Sequence, residues 1–150
     1  MRLRTLGLAV LIAVGGAVEA HAAARPKDRP EDRDVLAYRR ALMITLNEQS
    51  AALGMILSGV VTGDAAAHLE VIALTAAYAT KDFTPRVEGG ESRPEIWTKW
   101  ADFSKRMDDF ARKTAVAAKI ALEKGPGSVN VLDALACKAC HDLYRDETKR

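Results

Sequence analysis

Ile96, Trp100, Phe103, Met107 and Phe110 step by four, three, four and three. That spacing sets five large apolar side chains on one face of an α-helix, and a strand cannot reproduce it. The segment carries its own start and stop signals. Ser92-Arg-Pro-Glu95 has the form of a capping box, with the serine oxygen and the glutamate carboxylate each placed to satisfy an orphan amide, and Gly125-Pro126-Gly127 ends the run. The same period recurs on both sides. After Pro30 and an acidic first turn, Val35, Leu42, Leu46, Leu53, Ile56 and Val60 return at helical intervals until Ser58-Gly59 and Thr62-Gly63 weaken the pattern. Asp64 is placed to cap a second helix carrying Leu69, Val71, Ile72 and Tyr78, followed by a loop through TKDFTPRVEGGES. Ser128 is placed to cap a last helix with Val129, Leu132, Leu135 and Ala136 leading into Cys137. Four helices with one apolar stripe each, and almost no strand signal, predict an all-α antiparallel four-helix bundle.

The first residues belong to a different kind of segment. MRLR is basic, LGLAVLIAVGGAV is an uncharged run of 13 residues, and Ala20-His21-Ala22 is a small-x-small site. These are the three parts of a secretory signal peptide, predicted to span residues 1–22, with a second cut possible after Ala24. The run is shorter than the ~18 apolar residues of a membrane span, so no anchor is expected after cleavage. Residues 23–150 then form one domain, exported and soluble. The whole chain has 22 Lys and Arg against 20 Asp and Glu, a formal charge of +2, and the signs are interspersed. Such a balance implies no nucleic-acid partner.

Cys137, Cys140 and His141 are the chemistry-bearing cluster, and the two cysteines are the only ones in the chain. At helical spacing all three project from one side, against which a flat group could lie. C-x-x-C-H is the sequence form of covalent haem attachment, in which the thiols become thioethers and the histidine ligates the iron. Zinc is poorly supplied, because the other histidines are His21, in the predicted signal peptide, and His68. A thioredoxin-like dithiol needs a strand-to-helix context that the pattern lacks. The motif therefore predicts one covalent haem c. No pair of carboxylates, activated hydroxyl or phosphate-cradling loop stands out, so an enzyme is not expected.

PEDRDVLAYR, FTPRVEGGESRPEIW and CKACHDLYR resemble the three most characteristic stretches of the class II cytochromes c, the cytochrome c' family. The likeness runs in one register over nearly the whole of residues 23–150, and the motif lies near the C-terminus as it does in that family. The resemblance implies a left-handed four-helix bundle in the bacterial periplasm, with transient docking to redox proteins and a homodimer left open. In the family a leucine shortly after a Tyr-Arg pair covers the distal face of the haem, and in a low-spin branch resembling cytochrome c-556 that residue is methionine. Aligning Tyr38-Arg39 with the pair puts Met43 there. Read by residue type alone, Met43 is equally a gap filler of a helical core, although Asn47, Ser50 and Gly54 on its side of the helix are small and leave room for a ring.

What the resemblance implies is a periplasmic electron carrier with His141 and Met43 as axial ligands. A soft thioether favours ferrous iron and raises the potential. The alternative is a five-coordinate protein that binds nitric oxide or carbon monoxide. Arg39 and Arg145 match arginines that lie beside the haem in the family, and Phe83, in the family-like loop, is expected to pack on the ring. Met55 and Met107 are expected to be packing residues, and Trp97, Trp100, Phe103 and Phe110 to be bundle core.

Overall fold

The computed structural model describes residues 30–149. Its helices are α1 (Pro30–Leu57), α2 (Ala65–Asp82), α3 (Glu95–Thr98), α4 (Trp100–Lys124), α5 (Val131–Ala134) and α6 (Cys137–Tyr144), with single 3-10 turns at Pro126–Ser128 and Glu147–Lys149. Among the described residues there is no strand, only isolated bridges pairing Ser92 with Gly89 and with Arg145. The helices make four limbs, α1, α2, α3 with α4, and α5 with α6, which is the expected four-helix bundle. α2 packs lengthwise against both α1 and α4, and α6 rests on α3 and α4. The predicted signal peptide lies outside the described residues.

Two helix ends follow their sequence signals closely. α1 stops in a Schellman motif: Gly59 takes φ +75°, its amide donates to Ile56 O at 3.1 Å, and the Val60 amide donates to Met55 O at 3.0 Å. At the start of α2 the Asp64 carboxylate accepts from the Ala66 and Ala67 amides at 3.0 and 3.1 Å.

Two expectations are corrected. The Ser92/Glu95 capping box does not form, because the Ser92 amide donates to Gly89 O and the backbone of Ser92 pairs with Arg145. α3 instead begins after Pro94 without a side-chain cap, and Lys99 at φ −120°, ψ 39° separates it from α4. The last limb is also broken. Ser128 ends a 3-10 turn, and it is Asn130 whose side chain receives the Asp133 amide, at 3.3 Å. Ahead of the cysteines Ala136 sits at φ −72°, ψ 50° while the Cys137 amide donates to Leu135 O at 2.7 Å, an inverse γ-turn that starts α6 afresh at Cys137.

The core has two parts. Leu46, Leu53, Leu69, Ile72 and a set of alanines from α2, α4 and α5 fill one, whereas Ala79, Phe83, Ile96, Phe103, Met107 and Tyr144 fill the other. Phe103 stands edge-on to both Phe83 and Tyr144, with ring centroids 5.1 and 5.2 Å away. Val71 and Tyr78, expected to share the stripe of Leu69 and Ile72, lie on the opposite side of α2 and are exposed. No helix among the described residues is long and apolar enough to cross a membrane.

Candidate functional site: the Cys137–His141 helix and its aromatic wall

Because α6 begins at Cys137, both cysteines, His141 and Tyr144 fall on successive turns of one short helix. Tyr144 is buried and Cys140 is half-buried, and Cys140 packs against the same aromatic cluster. Cys137 is the more exposed of the two. On the solvent side Lys138 and Asp142 pair at 2.6 Å.

The surroundings of the thiols decide between chemistries. Burial pushes the Cys140 thiol up to about 11, opposite to the depressed value of an attacking redox cysteine. Among the described residues no group of three His, Cys, Asp or Glu could hold a metal ion, and His68 is engaged with Gln49 across α1 and α2 at 2.7 Å. Among the described residues neither the dithiol nor the zinc reading gains support. A covalently attached haem does fit. Two thiols and an imidazole share one helix, Cys140 among them packs against an apolar wall of Phe83, Phe103 and Met107, and no buried side-chain polar atom lacks a partner among the described residues.

α1 contributes from the other side. Met43 is half-buried and packs against both parts of the core, so it shares the aromatic cluster with Cys140. Asn47, one turn further along α1, is exposed. Of the competing methionines, Met107 is 6% exposed inside the cluster and Met55 is 47% exposed on the outer face of α1. Met107 is core as expected. Met55 is not packed, which corrects the expectation for it.

The three expected edge residues are placed in a different grouping. Arg39 is 3% exposed and donates to one carbonyl at the end of α2 and two of the segment that follows: Asp82 O at 3.0 Å, Val87 O at 2.8 Å and Pro85 O at 2.6 Å. Its guanidinium lies over Phe83 at 4.7 Å and Trp97 at 5.6 Å from the ring centroids. Burial lowers its pKa from the ordinary guanidinium value, and the charge of Asp82 opposes that shift. Phe83 thus packs both on Arg39 and on Phe103. Arg145 pairs with Glu91 at 2.7 Å.

Several residues of the site were not assigned to it from the sequence, Trp97 having been expected only as bundle core. Trp97 closes the cage over Arg39 and donates its indole N–H to Phe83 O at 3.0 Å. Tyr144 donates to the Asp102 carboxylate at 2.5 Å, and Arg106 donates to the same carboxylate at 2.6 Å, which ties α6 to α4. Arg106 and then Tyr144 hold Asp102 below the usual carboxylate value, while burial and that hydrogen bond push the Tyr144 phenol up to about 12. The i, i+4 pair of Asp102 with Arg106 and the position of Tyr144 one turn after Cys140 were signals available in the sequence.

Comparison with known proteins agrees with this geometry. The family described as Cytochrome C' matches residues 34–145. A cytochrome c' from Alcaligenes xylosoxydans xylosoxydans is 32% identical over 124 residues, covering 78% of this chain and 95% of that one. Among solved structures, the nitric oxide complex of a Leu-to-Val variant of cytochrome c prime from Alcaligenes xylosoxidans matches with TM-score 0.66 and 28% identity, covering 80% of this chain and 100% of that one. The reduced structure of an Arg-to-Ala variant from the same organism matches with the same TM-score of 0.66, identity of 28% and coverage of 80% and 100%. These relatives do not single out the low-spin, methionine-ligated branch, for which the identity of residue 43 is the sole indication.

Proposed function

We propose, from the premise that the chain belongs to the cytochrome c' family and so carries one covalently attached haem c, that it is a periplasmic gas-binding haem protein. Cys137 and Cys140 would hold the haem as thioethers, His141 would ligate its iron, and the Met43 face of α1 would lie across the ring. When bound, the haem supplies an iron that can take nitric oxide or carbon monoxide on that side. The relatives solved as nitric oxide complexes support this reading.

The observation that carries the placement is that Met43, from α1, and Cys140, from α6, pack on one aromatic cluster. The residues of the chain have separable tasks. Phe83, Phe103 and Met107 exclude water from the wall of the site. Asp102 and Tyr144 hold the last turn of α6, and with it the orientation of the helix that bears His141. Met43 has three rotatable bonds and a half-buried position, so it can cover the distal side and yield to a small ligand.

A second reading is favoured by the residue type at 43. A thioether that stays bonded makes the protein a low-spin electron carrier that docks transiently with redox proteins. An exposed row of Ile44 and Met55 on α1 with Val71, Leu74 and Tyr78 on α2 offers an apolar surface for docking or for pairing of two copies.

The two readings separate by spectrum and ligand binding. On the gas-binding reading the reduced holoprotein takes carbon monoxide readily, and Met43→Leu accelerates that binding while changing stability by less than ~1.5 kcal/mol, because leucine conserves volume. A wild-type protein that stays low-spin and refuses carbon monoxide, and that opens only in Met43→Leu, would establish the electron carrier instead.

A further inference from the structure

The segment between α2 and α3 is fastened at both ends to helices that carry the distal and proximal residues. At its start Arg39 grips the carbonyls of Asp82, Pro85 and Val87. Leu36, one turn earlier on α1, closes on Gly89, where a Cβ would stand 2.9 Å from the leucine Cδ1 and the backbone takes φ +139°. A side chain at 89 would strike Leu36 and strain the backbone, so glycine permits the close approach. At its far end the segment joins α6. The Arg93 amide donates to Tyr144 O at 3.0 Å, and the Asp146 amide donates to Glu91 O at 2.7 Å. Arg93 Nη1 donates to Asp142 O at 3.1 Å, and Arg145 pairs with Glu91.

Met43 lies one turn beyond Arg39 on α1, and Asp142 follows His141 directly on α6. α1 and α6 are thus connected through residues 82–93 at the turns adjoining the two proposed haem-facing residues. We propose that this segment is a strap that sets the position of α6 relative to the Met43 face of α1, with Arg39 as its positioning residue. The proposal rests on the distal assignment of Met43 made above.

The physical case is the choice of partners. The three acceptors of Arg39 are all main-chain carbonyls, so its fixed fork of donors shapes a loop instead of gripping an acid. A buried cation whose donors meet neutral dipoles and two ring faces, with the Asp82 charge only partly offsetting its burial, is a costly device for a loop without further duty. Its geometry cannot be reproduced by lysine, whose single point charge does not span three carbonyls.

The test uses the holoprotein and two readouts. Arg39→Lys should make the Arg93 and Asp146 amides exchange hydrogen about tenfold faster or more, because both bonds close the far end of the strap. It should also shift the carbon monoxide association rate of the reduced protein by about two- to thirtyfold. Glu91→Gln, which weakens the strap from the α6 side, should move the same rate in the same direction. It carries the test if Arg39→Lys does not fold. Lys113→Ala, which breaks an ion pair with Asp133 on another side of α4, should move neither readout.

Faster amide exchange with an unchanged carbon monoxide rate would overturn the positioning role and leave the segment a passive loop. Unchanged exchange in Arg39→Lys would overturn the strap itself. Met43→Leu without effect on carbon monoxide binding would instead remove the distal reading, and the positioning role with it, while the coupling of Arg39 to the Arg93 and Asp146 amides would remain visible in exchange.

Discussion

The two parts of the core are built from different residues. Around Leu53 the helices close on one another through alanines: Ala65, Ala66 and Ala76 of α2 meet Ala117, Ala118 and Ala121 of α4. Small side chains allow a close helix approach with nothing between. Around Phe103 the wall is made of rings, a methionine and a thiol, and α6 rests against it as a helix of 8 residues. So short a helix has little stability of its own and depends on what it packs against. On the proposed reading the alanine end stands by itself, and the aromatic end would be completed by the haem. Met43 packs on both and marks their junction.

The largest expected effect comes from denying the aromatic end its cofactor. A Cys137→Ala/Cys140→Ala variant expressed with export intact should lose hydrogen-exchange protection at Arg93 and Asp146, whereas amides of α2 and α4 beside Leu53 keep theirs. A variant with a single cooperative transition of native height would show that both ends are equally independent.

The alanine end is probed by a cavity. Leu53 is 0% exposed, so Leu53→Ala should destabilise the fold by about 2–5 kcal/mol, read from denaturant unfolding. Its visible spectrum should change less than that of Met43→Leu, because Met43 only borders this cluster whereas the cavity opens at Leu53. A spectral change as large as that of Met43→Leu would erase the distinction between the two regions.

The smallest effect sharpens the aromatic end alone. The Tyr144 phenol is raised to about 12 from its ordinary value of 10.0. Between those values the folded state binds the proton that the unfolded state has released, so stability falls as pH rises through the window and is fully present below it. Tyr144→Phe should abolish that part of the alkaline slope. An identical slope in the variant would assign the alkaline loss to other groups.

Much of this molecule was legible from local rules. α1 and α2 end and begin as their caps predict, since Gly59 and Asp64 act on backbone groups within a few residues, although Val60, read as part of the first stripe, lies beyond α1 and is exposed. The attachment motif was equally plain, because its chemistry requires two thiols and an imidazole at one spacing. Where the reading failed, a distant partner had intervened. Ser92 leaves its capping box because its backbone pairs with Arg145. Val71 and Tyr78 belong to an apolar-rich helix whose buried side could be chosen only by where α1 and α4 lie.

Arg39 shows the boundary most clearly. Residue type and spacing brought out a cation one turn from Met43, and the family resemblance suggested the haem edge for it. Only the folded chain shows that its donors meet the carbonyls of Asp82, Pro85 and Val87, up to 48 positions along the chain. Periodicity and capping act between residues within a turn or two, so the sequence by itself determined the helices, their main ends and the covalent chemistry of Cys137-x-x-Cys140-His141. The direction of a long side chain is settled by whatever the chain brings against it. The break before Cys137, the cage around Arg39 and the clamp of Tyr144 on Asp102 were therefore decided by tertiary structure alone.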